Sequence, residues 1–422
     1  MNRLWQRSLI LLLVMLVLIG PTIPAGYAQG WAVEADGYLP DEVTVKLLQA
    51  SDLPGVAADH GLDPTPLDQF GAWAIYRLSI LDGTLPPDKA AELEADPRVV
   101  YAEPNFLGHT PEGQQRSSWA KGGDSETYHG QRALTTARFP EAHTITRGAG
   151  VIVAVLDTGV DATHPDLAGH LIAGYDFVDL DDDPNDEGDE TNLAYGHGTH
   201  VTGLIALAAP DADIMPVRVL DPEGLGNIWV LSKALAYAVD PDGNPETNDG
   251  ARVINLSLGT TQVTNLLPEI VAAVTCANGD DDDDDDDCLG YGPGGAVVVS
   301  AAGNSGTRTR EYPAAERVRG SLAVAASTIT DTLATFSNFG PWVRVAAPGE
   351  AISSTIPLGE YAVWSGTSMA TPLAAGEAVL VRAAFPNLNA ISVVRRIVAN
   401  AATIAGAVPR RIDAAAAVGF GP

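Results

Sequence analysis

Val151-Ile152-Val153-Ala154-Val155-Leu156-Asp157-Thr158-Gly159-Val160-Asp161 is the stretch on which the fold turns. Its first six residues are apolar without alternation, as expected of a strand buried on both faces. A carboxylate and a glycine follow at once. Similar runs recur at Ala251–Leu256 and Ala296–Ala301, with weaker ones at Ile214–Leu220 and Leu322–Ala326. Helical segments lie between them, at Ile228–Val239 and Leu267–Thr275. This alternation predicts an α/β domain over residues 131–422, a doubly wound, mostly parallel sheet with helices on both faces. Sites in such folds lie at the carboxyl ends of the strands, which is where Asp157 falls.

The region before it reads differently. Glu42–Leu48 alternates like a strand, Pro54–His60 suits a short helix, and Gly71–Ile80 reads as a second strand. Pro87–Ala95 is helical in composition, with proline early where a helix tolerates it. Val99–Glu103 is a further strand, which Pro104 is expected to end. Residues 38–107 therefore form a small α+β unit. Residues 108–130 are rich in glycine, serine and charge, and read as an exposed, cleavable linker. At the start, Arg3 and Arg7 precede the apolar run Leu9–Ile19, then prolines and small residues. This is the layout of a secretory signal peptide over residues 1–28, cleaved after Ala28. The run is too short for a membrane anchor, which needs roughly 20 apolar residues.

Charge narrows the function. The chain has 54 acidic and 24 basic residues, a formal net charge of -30. Clustered Lys and Arg are what phosphate binding requires, so a nucleic-acid partner is excluded. Much of the imbalance is local, in Asp176–Glu190 and in the run Asp280–Asp287. The only cysteines, Cys276 and Cys288, flank that run. In an exported protein they are expected to form a disulfide closing the loop.

Three segments carry chemistry. Asp157 ends the buried strand. His197 lies in Gly196-His197-Gly198-Thr199-His200, ahead of the apolar helix Val201–Ala209. Ser368 lies in Gly366-Thr367-Ser368-Met369-Ala370-Thr371-Pro372, just before the apolar segment Leu373–Ala384. Acyl transfer needs an activated hydroxyl, a base to take its proton and an acid to orient the base. A fourth piece, Asn304, follows the strand Ala296–Ser300, and its amide suits an oxygen that gains charge during attack. Singly, each residue reads as well as a helix cap or a core polar group; jointly they make a catalytic set.

The segments VAVLDTGVD, HGTHVTG and GTSMATP, in that order, resemble the subtilisin-like serine proteases (subtilases). The resemblance covers about Ala133–Gly419. It implies Ser368 as nucleophile, His197 as general base and then acid, and Asp157 as the orienting carboxylate. Asn304 and the Ser368 backbone amide would form the oxyanion hole. Ser257-Leu258-Gly259 and Leu225-Gly226 would hold an extended peptide as an added strand. The small first unit resembles the family's inhibitory propeptide, which would assist folding, block the cleft and be removed by self-cleavage. The expected product is a secreted, monomeric endopeptidase acting on proteins or peptides, with no membrane anchor and no cofactor required for chemistry. Two rivals stay open: an inactive binding or inhibitory protein on the same scaffold, and a serine esterase. His200 is structural in the family.

Two departures from the family pattern stand out. The helix after His197 runs almost directly into Ala208-Ala209-Pro210-Asp211, so a calcium loop carried there by many relatives is shortened. Leu373 also stands where most have histidine. The loop Asp176–Glu190 resembles one through which thermostable relatives bind Ca2+, and Asp179, Asp181, Asp183 and Asp186 are its candidate ligands. Because that loop leads into His197, its charge is also expected to favour basic substrates. The run Asp280–Asp287 precedes a strand whose far end leads to Asn304, and is expected at the end of the sheet opposite the site.

Overall fold

The computed structural model describes residues 37–111, 120–244, 246–277, 288–289 and 294–420. The stretch read as a signal peptide and the run Asp280–Asp287 lie outside these residues.

The first unit consists of β1 (Tyr38–Leu47), α1 (Leu53–Asp59), β2 (Asp68–Phe70), β3 (Ile75–Ser79), α2 (Pro86–Glu94) and β4 (Val99–His109). Its strands pair antiparallel in the order β2-β3-β1-β4. One face closes over its own core, including Val43, Val45, Val56, Leu78 and Leu93. The expected end of the last strand at Pro104 is corrected: β4 runs on to His109. Pro104 sits where the partner strand shifts register between Tyr38 and Val43, and a proline is tolerated beside such an irregularity because no regular ladder bond is lost there.

The second unit begins with β5 (Ala120–Lys121) and the short helices α3 (Ser125–His129), α4 (Arg132–Thr136) and α5 (Phe139–Ala142). Then come β6 (Ile152–Asp157), β7 (Tyr175–Asp176), α6 (His197–Ala208), β8 (Asp213–Arg218), β9 (Leu225–Asn227), α7 (Ile228–Val239) and β10 (Val253–Leu256). Next follow α8 (Leu266–Val274), β11 (Val297–Ala301), β12 (Ser321–Ser327), β13 (Val345–Pro348), and the hairpin β14 (Ile352–Ile356) and β15 (Glu360–Trp364). The chain closes with α9 (Thr367–Ala384), α10 (Ala390–Asn400), β16 (Ala402–Thr403), β17 (Arg410–Arg411) and α11 (Ala414–Val418).

The large sheet has the order β16-β17-β13-β12-β11-β10-β6-β8-β7 and is parallel except at the β16–β17 edge. The fold is thus the expected α/β one. The unbroken apolar run in β6 has a direct cause. Val153 and Val155 pack into the core shared with α6 and α9, while Ala154 and Leu156 pack into the core shared with α7 and α8. Both faces are covered, so no position can be polar until the strand ends at Asp157.

The stretch 108–130 is not uniformly exposed as expected. Tyr128 is buried, and its hydroxyl donates to the Gly203 carbonyl at 2.7 Å. Cys276 and Cys288 form the expected disulfide, with Cα atoms 5.0 Å apart. Among the described residues, no helix is long and apolar enough to cross a membrane.

Candidate active site

Asp157 ends β6 and His197 opens α6, 40 residues later, yet His197 Nδ1 lies 2.6 Å from Asp157 Oδ1. Both side chains are withdrawn from solvent. The close packing of the two motifs requires glycine: a Cβ on Gly198 would lie 2.1 Å from the Gly159 carbonyl oxygen. Thr158 cross-links the same two segments by accepting from the Gly198 amide at 2.9 Å.

Ser368 lies in the first turn of α9, which begins at Thr367 rather than after Pro372. Pro372 is inside the helix and has no N–H for the Ser368 carbonyl four residues earlier. That carbonyl is satisfied instead by Ser257 Oγ, which donates at 3.0 Å. Ser368 Oγ in turn donates to the Ser257 carbonyl at 3.2 Å. The segment carrying Ser368 is therefore fastened to the residue following β10, the strand beside β6. Asn304 follows β11. Its Oδ1 accepts from both the backbone N–H and the hydroxyl of Thr367, each at 2.9 Å. Fixing Oδ1 in this way sets the orientation of the amide next to Ser368.

The edge segments meet across a peptide strand. The end of β4 pairs antiparallel with β9, Leu107 opposite Asn227, Gly108 opposite Gly226 and His109 opposite Leu225. On its other side, His109 exchanges both backbone bonds with Gly259, at 2.8 and 2.9 Å. Thr110 N–H donates to the Gly224 carbonyl at 3.1 Å. Continuing the antiparallel register sets Pro111 opposite Ser257, whose carbonyl receives the Ser368 hydroxyl. Leu258 is buried between these bonded positions. Asp221 shapes the turn before β9, its Oδ1 accepting from the Glu223 and Leu225 amides at 2.9 Å each.

The first unit is held over α7 and α8 by polar contacts to their N-terminal ends. Glu103 accepts from the backbone N–H groups of Asn265, at 2.5 Å, and Leu266, at 3.1 Å. Asn105 Oδ1 accepts from the Trp229 N–H at 3.1 Å, and Asn105 Nδ2 donates to Glu42 at 2.7 Å. Burial pushes the Glu42 carboxyl up to about 7. Trp229 Nε1 donates to Asp68 at 2.8 Å, and Lys46 pairs with Glu269.

The four candidate calcium ligands are not brought together. Asp179 pairs with Arg218 at 2.5 Å. Asp181 Oδ1 accepts from the Asp183 amide at 2.9 Å in an exposed turn. Asp186 turns inward, where its carboxylate accepts from Thr158 Oγ1, Gly196 N, Thr199 N and Thr199 Oγ1, the last at 2.6 Å. Burial, helped by the nearby Asp157 charge, pushes Asp186 up to about 7 against the Thr199 and Gly196 donors. With Asp186 committed to the His197 loop, the set does not fit a cation. Arg218, buried at the end of β8, organises the acidic loop instead, pairing with Asp176, Asp179 and Glu187. Sequence reasoning missed it, although a lone arginine ending an apolar strand beside an acidic loop is a readable signal. Among the described residues, one other acidic group, Asp240, Asp242 and Asp249, has carboxylate oxygens all within 4.8 Å of one another.

His200 has a structural setting, as expected. It stacks on Trp364, ring centroids 4.4 Å apart, and burial drops its imidazole to about 3.

A family model described as the Subtilase family matches residues 148–421. The chain is 41% identical over 303 residues to a thermophilic serine proteinase of Bacillus sp. (strain AK1), covering 68% of this chain and 64% of that protein. It thus spans a little under two thirds of that relative's length. It is 40% identical over 252 residues to thermitase of Thermoactinomyces vulgaris, covering 57% of this chain and 78% of thermitase. In fold it is similar to fervidolysin from Fervidobacterium pennivorans, with a TM-score of 0.69 at 23% identity over 92% of this chain and 62% of that one. A cold-adapted subtilisin-like proteinase aligns with a TM-score of 0.51 at 31% identity, over 63% of this chain and 88% of that one. Motifs, fold and relatives agree: the chain belongs to the subtilase family, the subtilisin-like serine proteases.

Proposed function

We propose that this chain is a secreted serine endopeptidase, made as a precursor whose N-terminal unit occupies the active-site cleft and is removed by self-cleavage. The observation that carries the reading is the pairing of Leu107–Thr110 between β9 and Gly259, an extended peptide leading toward Ser368. It is the arrangement a peptide substrate needs, with main-chain bonds on both sides.

In the proposed mechanism, His197 takes the proton from Ser368 Oγ as the oxygen attacks the scissile carbonyl. Asp157 holds Nδ1–H so that Nε2 is the basic nitrogen, and stabilises the imidazolium that forms. The negative oxygen of the tetrahedral intermediate accepts from the Ser368 N–H and Asn304 Nδ2, one such donor contributing roughly 3 to 4 kcal/mol. The intermediate collapses to an acyl-enzyme, His197 giving its proton to the leaving amine. Water then repeats the sequence and releases the acid. Leu225, Gly226, Ser257, Leu258 and Gly259 hold the substrate backbone in register.

Pro111 has no N–H to offer the Ser257 carbonyl opposite it, which leaves that carbonyl to the Ser368 hydroxyl. The bound segment is in this respect an inhibitor rather than a substrate, and processing belongs further along the linker.

The test compares wild type with Ser368→Ala, both lacking residues 1–28, by intact mass and casein hydrolysis. Wild type is expected to shorten to a mature form and digest casein, while the variant stays full length and inert. A wild type that also stays full length and inert would favour an inactive binding protein on this scaffold.

A further inference from the structure

Glu311 is a buried acid that the chemistry at Ser368 does not use. It precedes Tyr312, whose backbone pairs with Thr260 in both directions, at 2.8 and 3.0 Å. Consecutive residues of an extended segment bond to opposite sides. Gly259 therefore bonds the peptide in the cleft, and Thr260 bonds the loop that carries Glu311.

The Glu311 side chain lies between the two backbone walls beside the nucleophile. A Cβ on Gly259 would lie 3.6 Å from Glu311 Oε2, and a Cβ on Gly303 would lie 2.5 Å from Glu311 Cγ. Gly303 is tied to the nucleophile's segment, its N–H donating to Thr367 Oγ1 at 3.1 Å. Both walls are glycine at these positions, so neither sends a side chain into the slot between them; the side chains that enter it are Glu311 and Asn338, whose Nδ2 would lie 2.4 Å from a Cβ on Gly303. The acid in the slot is the carboxylate of Glu311.

Glu311 is 8% exposed, and among the described residues no donor reaches its Oε2. The arginines of its own loop do not serve it: Arg308 lies over the Phe339 ring and Arg310 is exposed. The charge that acts on it comes from His109, on the strand lying in the cleft. A buried carboxylate without a partner is costly unless something brings it a cation. Continuing the register sets a peptide residue opposite Ser257, whose carbonyl receives the Ser368 hydroxyl, so in the proteolytic reading the bond that Ser368 attacks follows that residue and adjoins this slot.

We propose that Glu311 is a specificity-determining residue that selects lysine or arginine immediately before the scissile bond. The inference rests on the proteolytic reading above. An entering ammonium or guanidinium supplies the partner the carboxylate lacks. An apolar side chain leaves it unpaired, and an acidic one repels it. The charge responsible is a single buried group rather than the acidic loop Asp176–Glu190, whose carboxylates are partly engaged by Arg218.

The test uses fluorogenic peptides that differ only at the residue before the cleaved bond: arginine, lysine, citrulline, phenylalanine or glutamate. Citrulline keeps the shape of arginine without its charge. With mature wild type, kcat/KM for arginine is expected to exceed that for citrulline by about tenfold or more, the lower end for a desolvated charge pair. Glu311→Gln should bring the arginine-to-citrulline ratio close to one. Equal rates on arginine and citrulline in wild type, or a ratio unchanged by Glu311→Gln, overturn the proposal. Labelling of Ser368 by a fluorophosphonate separates the two readings. Labelling without a basic preference overturns only the role of Glu311, whereas no labelling and no hydrolysis overturns the protease reading and this one with it.

Discussion

His197 Nδ1 sits 2.6 Å from Asp157 Oδ1 because the strand β6 and the helix α6 are locked together one residue beyond each group, at Thr158 and Gly198. The contact is made in a site withdrawn from water, where a hydrogen bond fixes a ring tautomer firmly. Replacing Asp157 by asparagine keeps the shape but offers Nδ1 a donor as readily as an acceptor. Asp157→Asn should lower kcat by about 10,000-fold, as in triad enzymes generally, with little change in KM. Steady-state kinetics on one peptide ester and one peptide amide checks this.

Glu103 reaches out of the first unit to accept from the first N–H groups of α8, at Asn265 and Leu266. Among the described contacts, α8 has no side-chain cap of its own. Glu103→Ala should therefore weaken docking of the first unit by about 1 to 2 kcal/mol, the usual worth of a helix cap. The lag before active enzyme emerges from purified precursor should shorten several-fold. An unchanged lag, with unchanged folding yield, would count against the cap as a determinant of inhibition.

The two readings of the cleft together select a maturation bond. Pro111 falls opposite Ser257 when the register is continued, and suits neither the Ser257 carbonyl nor a slot that ends in a carboxylate. The linker offers two basic residues that do, Arg116 and Lys121. Lys121 is engaged in β5, paired with β15 and bridged to Glu190 and Glu360. Amino-terminal sequencing of the mature enzyme should then begin at Ser117. A start at Gly122 or beyond would mean that β5 is not retained, and a start at Glu112 would return the first cleavage to Pro111.

What the sequence made legible follows from what local pattern can carry. The run Val151–Leu156 is uniformly apolar because two separate cores press on it, and a reader of the sequence sees that directly. The candidate set was legible because Asp157, His197 and Ser368 each sit in glycine-bearing segments whose close approach tolerates few substitutes. The extension of β4 past Pro104 was not legible, since it depends on a bulge in β1 and on partners in β9, more than 100 residues away. The inward turn of Asp186 was hidden for a similar reason: its four donors come from Thr158, Gly196 and Thr199, across a loop closure. In a run of acids, nothing local separates the one that faces the core from those that face water. Glu311 carried no signal of its own, because its meaning depends on Gly259 and Gly303 flanking it in space.

Glu377 provides a test of stability against pH. It lies in α9, fully buried among apolar residues of the core between the sheet and α6. Burial and, after it, the Asp413 charge raise its carboxyl from 4.5 to about 8, and the Asp413 N–H and the Arg411 charge offset this only in part. In the unfolded chain the group loses its proton near 4.5, whereas in the folded chain it holds it until about 8. Between those values the folded state binds more protons, so its stability must fall as pH rises through that window and level off above it. The full effect is at most about 5 kcal/mol. Asp186, Glu316 and Glu42, each raised to about 7, contribute with the same sign, so wild type alone would not isolate Glu377. The Glu377→Gln variant does. Made on the Ser368→Ala background to prevent self-digestion, it removes the ionisation and keeps the volume. At pH 5 its Tm should lie close to that of the parent. At pH 9 it should be higher by several degrees, given about 2 to 4 °C per kcal/mol for a domain of this size. A gap that stays constant from pH 5 to pH 9 would show that Glu377 does not change its protonation in the folded chain over that range.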